Sequence, residues 1–104
     1  MIEVIKKLFG LKTVSYAQLV QEGAIILDVR TPGEYSNGHI KGSINIPVDK
    51  LGTNLNKLKS KDKAVITCCA SGARSAAAKS ILKSNGYVNV HNGGAWHSLR
   101  SKIN

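Results

Sequence analysis

Ala64-Val65-Ile66-Thr67-Cys68-Cys69-Ala70-Ser71-Gly72-Ala73-Arg74-Ser75 is the stretch on which the fold of this chain turns. Its first half is apolar and β-branched, the pattern of a strand buried on both faces, so a strand is expected over 64–68. An Ala-rich segment of helical character follows, and a helix is expected from Arg74 or Ser75 to Asn85, stopped by Gly86. Between them a cysteine is delivered to the strand's C-terminal end. The amides of the short turn after it point inward, forming a nest for negative charge backed by roughly half a positive charge from the helix N-terminus. A thiol held there ionises more readily than its free value of about 8.5, and the thiolate is the nucleophile.

Working outward, strand-length apolar runs alternate with helix-period segments, which predicts an α/β domain around a mainly parallel sheet. Thr13-Val14 is expected as a short strand, and Ser15 as the N-cap of a helix from Tyr16 to Glu22 that stops at Gly23. Ala24 to Val29 reads as a strand buried on both faces. Arg30 to Ile40, with Pro32, Gly33, Asn37 and Gly38, reads as turn and loop. Ser43 to Ile46 is a short strand ended by Pro47, and Asp49 to Leu58 repeats leucines at helical period, with Gly52 weakening the helix. Val88 to His91 forms a last strand, Asn92 to Gly94 a turn, and Ala95 to Lys102 a terminal helix anchored by Trp96.

The 104 residues hold one domain, and an aromatic content of 5% leaves the core to Ile, Leu, Val and Ala. No segment reaches the ~18 apolar residues of a membrane span. Residues 1–10 lack the pattern of a signal peptide, so a cytoplasmic chain is expected. Two adjacent cysteines without a framework fit a chemical role better than a disulfide, and His39, His91 and His97 show no metal-ligand spacing. The net charge of +9 attracts small anions over long range. Its lysines scatter without interleaved aromatics, which argues against nucleic acid as partner.

Four motifs carry a family resemblance: Leu27 to Tyr35 (Leu-Asp-Val-Arg-Thr-Pro-Gly-Glu-Tyr), Gly38 to Pro47, Cys69 to Ser75, and Gly93 to Trp96. In that order and spacing the chain resembles a single-domain rhodanese from about Val14 onward, with residues 1–12 as an extension and 13–104 as the domain. The resemblance implies a compact α/β fold around about five mainly parallel strands flanked by helices. It also implies sulfurtransferase chemistry, in which a sulfane sulfur passes from thiosulfate or a persulfide donor to cyanide or a thiol through a Cys69 persulfide. No metal or organic cofactor is implied. The expected partners are a small anionic sulfur donor and a protein acceptor of sulfur.

Within that frame Cys69 is the expected nucleophile. Ala70, Ser71, Gly72 and Ala73 leave the amides unobstructed, and Ser71 adds a hydroxyl to the bound oxyanion. Arg74 offers a fork of donors to the substrate or, alternatively, pairs with an acid to brace the loop. Many family members have a basic residue where Ala70 stands, so one cation is missing here. Asp28 and Arg30 share one side of their strand and are expected as a bracing ion pair, and His39 as a structural hydrogen-bonder. Cys68 points away from the pocket by alternation. Cys69 and Arg74 enclose four residues, one fewer than in phosphatases and arsenate reductases of similar fold, which favours sulfur over phosphate. A persulfide carrier and a non-enzymatic binding module are the other rivals. A Cys69 sealed off from solvent, or one that titrates like an ordinary thiol and takes no extra sulfur, would overturn the enzymatic reading.

Overall fold

The computed structural model describes residues 15–104; the expected extension and the Thr13-Val14 strand lie outside the described residues. Ser15 caps helix α1 (Tyr16–Gln21) by accepting the Gln18 amide, as its residue type predicts. Strand β1 (Ile25–Asp28) leads to α2 (Pro32–Ser36) and the short β2 (Ile44–Asn45). Two 3-10 stretches (Val48–Thr53 and Leu55–Leu58) precede β3 (Val65–Cys69). Helix α3 (Ala73–Ser84), strand β4 (Val90–Ala95) and helix α4 (Trp96–Ile103) complete the chain.

Among the described residues the sheet has four strands in the order β2-β1-β3-β4, all parallel. That is one strand fewer than the resemblance implies. Alternation along β1 and β3 splits the core in two. Leu27, Val29, Val65 and Cys69 face α3 and the 3-10 stretches, against Leu51, Leu58, Ala78 and Leu82. Ile26, Ile66 and Cys68 face the other way, against Trp96 and Leu99 of α4, with Leu19 and Val20 of α1 at the margin. The chain leaves β1 toward one edge and β3 toward the other, so their C-terminal ends flank the point where the winding reverses. Ligand crevices of open α/β sheets lie there.

Three local readings need correction. The Arg30 to Ile40 segment contains α2, begun by a capping box in which Thr31 and Glu34 bond each other's amides, with Pro32 in the first turn. Proline at that position starts a helix instead of breaking one. The Asp49 to Leu58 period is realised as two 3-10 stretches, divided at Asn54, which bury Leu51 and Leu58. Asn92 to Gly94 belongs to β4 and not to a turn. Thr67 pairs with Asn92 but Cys69 with Ala95, so β4 carries one extra residue across that step. The bulge rests on Gly93, where a Cβ would stand 2.8 Å from the Thr67 carbonyl oxygen and 2.9 Å from Ile66 Cγ2.

Candidate active site

Cys69 is the last residue of β3, and α3 begins four residues later at Ala73. Gly72 makes this turn possible. It is the N-cap of α3 at φ 112°, a conformation that costs a side-chain-bearing residue dearly and glycine little. Having no side chain, it does not cap the helix itself, and the first amides of α3 are left to the sulfur. The Gly72 N–H donates to Cys69 Sγ at 3.0 Å and the Ser75 N–H at 3.4 Å. The Ser75 Oγ lies 3.5 Å from the same sulfur.

Burial pushes the Cys69 thiol up, but the bonds from the Ser75 hydroxyl and from the Ser75, Gly72 and Ser71 amides outweigh it. The group ends below its ordinary value. The sulfur nevertheless has no surface of its own: Cys69 is 0% exposed. The expectation of an open thiol is corrected on this point. Ala70, Ser71 and Ala73 of the same turn are exposed.

Cys68 faces the other core, and burial, with the Asp28 carboxylate adding to it, pushes its thiol up to about 12. Asp28 and Arg30 form a buried bidentate pair, with Nη2 to Oδ2 at 2.7 Å and Nε to Oδ1 at 2.9 Å. Arg30 also donates to the Gly38 carbonyl at 2.7 Å and lies 4.6 Å from the centre of the Trp96 ring. It thereby ties the loop after α2 to the end of β1. His39 is exposed; it stacks on Tyr35 and its Nδ1 lies 2.7 Å from the Tyr35 carbonyl.

Arg74 is the residue whose surroundings differ most from its expected substrate contact. Its fork is turned onto Glu34 of α2, at 2.7 and 3.0 Å, which is the bracing alternative. Arg74 and the Thr31 amide hold the Glu34 carboxyl down to about 2. Ala70, Ser71, Gly72 and Ala73 form the rest of the turn as the sequence places them.

Glu34, Ser75 and Asn92 join the site although none was singled out from sequence. Glu34 had a signal, the Thr-x-x-Glu spacing of a capping box. Ser75 lies inside the cysteine motif, six residues from Cys69, where the sequence marks it only as the start of the helix; Asn92 had no signal, since its partner Ser75 is 17 residues away. Ser75 Oγ lies 2.6 Å from Asn92 Oδ1. Among the described residues no group of three or more His, Cys, Asp or Glu side chains is placed to hold a metal, and no helix is long and apolar enough to cross a membrane.

Known proteins are similar to this chain in sequence and fold. A thiosulfate sulfurtransferase of Escherichia coli, PspE, is 36% identical over 69 residues, covering 65% of this chain and 66% of its own. A sulfurtransferase of Allochromatium vinosum is 35% identical over 71 residues, covering 68% and 65%. The chain thus spans a little under two thirds of the length of these curated relatives. A solved rhodanese with anions from E. coli superposes with a TM-score of 0.69 at 32% identity, over 73% of this chain and 91% of that one. The model of the rhodanese-like domain matches residues 13–95, which hold the cysteine turn, the Asp28–Arg30 pair and the glycine bulge alike. With sequence and fold agreeing, this chain belongs to the rhodanese-like domain family.

Proposed function

We propose that this domain is a sulfurtransferase that carries a sulfane sulfur on Cys69, taken from thiosulfate or another anionic persulfide-type donor and passed to cyanide or a thiol. The observation that carries this is the sulfur's position among the Gly72 and Ser75 amides at the N-terminus of α3. In the first displacement the thiolate attacks the donor's outer sulfur, a new S–S bond forms, and sulfite leaves with the electron pair of the broken bond. In the second, the acceptor attacks the outer sulfur of the persulfide and the Cys69 thiolate leaves with its pair. The amides serve both steps, because negative charge returns to the same small volume each time.

Arg74 contributes by bracing the turn through Glu34, and the oxyanion is left to the backbone donors and the Ser71 hydroxyl. The turn must move to uncover the buried sulfur for the donor to reach it. Small residues at 70–73 make that movement cheap.

Mass spectrometry of the intact protein after incubation with thiosulfate tests the proposal. One added sulfur atom is expected, removed by cyanide and absent in Cys69→Ser. Failure to load from thiosulfate and from a persulfide donor alike overturns it. Turnover of para-nitrophenyl phosphate abolished by Cys69→Ser would assign the loop to phosphate instead.

A further inference from the structure

Ser75 is fully buried, and its hydroxyl has one hydrogen and three acceptors within reach. Asn92 Oδ1 is 2.6 Å away, the Gly72 carbonyl oxygen 3.0 Å and Cys69 Sγ 3.5 Å. The atom of Asn92 that faces Ser75 is fixed by a further bond: the Gly94 N–H donates to the same Oδ1 at 3.0 Å. That amide sits in the glycine bulge of β4, so it holds the carboxamide with its oxygen toward Ser75. An oxygen so placed can only accept, and the shortest contact of the Ser75 hydroxyl is therefore one in which Ser75 donates to Asn92. The hydroxyl then turns lone pairs toward the sulfur, the correct partner for a thiol S–H. A thiolate needs the opposite, a hydrogen turned toward it.

We propose that Asn92 is a positioning residue for the reactive sulfur: its carboxamide oxygen competes with Cys69 for the single hydrogen of the Ser75 hydroxyl. The inference deepens the sulfurtransferase proposal and rests on Cys69 being the reactive group. With the thiol or the neutral inner sulfur of a persulfide in place, the hydrogen stays on Asn92. With the thiolate in place, the hydrogen turns to the sulfur and the 2.6 Å contact is given up. Asn92 thus opposes ionisation of Cys69, against the amides that favour it, and keeps the thiolate that does form more nucleophilic while slowing its departure in the second displacement.

The charged and titratable groups on the elements packed about the sulfur are Arg74 of α3 with its partner Glu34 of α2, Cys68 on β3 and the Asp28–Arg30 pair at the end of β1; β4 carries His91, which faces Lys79 and Lys83 of α3. A double-mutant cycle leaves all of them in place. The measurement is the pH titration of thiolate ultraviolet absorbance, taken as the difference between each protein and its Cys69→Ser counterpart. It needs no access to the buried sulfur and no sulfur transfer.

Asn92→Leu is expected to move the Cys69 midpoint to lower pH, raising the thiolate fraction below the midpoint about threefold to tenfold, the reach of one hydrogen bond. Asn92→Ala, which removes the same oxygen with less bulk, is expected to move it the same way and serves if the leucine variant does not fold. Ser75→Ala is expected to move the midpoint upward. In the Ser75→Ala background the Asn92 substitutions are expected to have no further effect. Equal Asn92 shifts in both backgrounds, an upward shift, or none overturns the proposal. The cycle stands if sulfur loading from thiosulfate fails, so loss of the sulfurtransferase assignment and loss of the Asn92 role are separate results.

Discussion

Cys68 and Cys69 are neighbours in sequence and opposites in chemistry, because β3 shows one to each face of the sheet. On the Cys68 face the surroundings are Ile26, Ile66, Trp96 and Leu99, with the Asp28 carboxylate near, and the thiol is pushed up to about 12. On the Cys69 face the turn into α3 places amides and a hydroxyl around the sulfur, and the thiol is held below its ordinary value. Both residues are 0% exposed, so surface exposure does not separate them, although Cys68 lies deeper. What separates them is whether the buried sulfur finds donors. A buried group without partners stays neutral, and one with three or four converging donors is invited to ionise.

The sharpest way to break this contrast is to exchange which cysteine is present. Cys69→Ser is expected to abolish persulfide formation, leaving no added sulfur on the intact protein. Cys68→Ala is expected to load sulfur as the parent does. Loading that survives Cys69→Ser and disappears with Cys68→Ala would place the nucleophile on the wrong face.

A next effect comes from the pair that borders the Cys68 face. Asp28→Ala leaves Arg30 buried without its carboxylate, and removing one partner of a buried pair costs about 3–5 kcal/mol. Urea denaturation measures it. The same substitution removes a negative charge that opposes Cys68 ionisation and leaves the Arg30 charge unopposed, so the Cys68 thiol should fall from its raised value. Full stability retained in Asp28→Ala would show the pair to be replaceable, and an unmoved Cys68 would detach it from the pair's field.

Much of this contrast was legible before the structure. Strand alternation is a property of backbone geometry, so the opposite facing of Cys68 and Cys69 follows from adjacency alone. The nest at Gly72 follows from a glycine between a strand-like run and an alanine-rich one. The Asp28–Arg30 pair follows from two opposite charges two residues apart on a buried strand. Other features were hidden for identifiable reasons. Pro32 and Gly33 read as breakers until Thr31 and Glu34 are seen to close a capping box around them. The leucines of 51–58 satisfy a 3-10 path as well as an α one, since spacings of three and four serve both over so short a span. Ser75, Asn92 and the Glu34–Arg74 contact depend on pairings 17 and 40 residues apart, which no local pattern encodes.

A smaller effect is expected at the bulge that keeps β4 against the Cys68 face. A Cβ at Gly93 would stand 2.8 Å from the Thr67 carbonyl oxygen, 2.9 Å from Ile66 Cγ2 and 3.0 Å from Leu99 Cδ2. The first of these is backbone and cannot turn aside without moving β3, two residues from Cys69. Gly93→Ala should cost about 1–3 kcal/mol by overpacking, read as a lowered thermal midpoint. Gly33→Ala meets nothing within 4 Å and should leave the midpoint close to that of the parent, which makes it the matched control.

The smallest effect belongs to the brace on the Cys69 face. Glu34 titrates at about 2 in the folded protein against an ordinary value of 4.5, chiefly because Arg74 bonds its carboxylate. A carboxyl lowered by folding stabilises the folded state fully above its ordinary value, and the contribution fades as pH falls toward its folded value. The brace should therefore weaken between about pH 4.5 and about pH 2 and be constant near neutrality. Both side chains are about one-third exposed, at 35% and 37%, so water screens the pair and the change is modest. Thermal midpoints of the parent and of Glu34→Gln should converge as pH is lowered through that window. Parallel curves would mean that Arg74 finds no more support in Glu34 than in solvent, and that the turn over Cys69 is held by its backbone bonds alone.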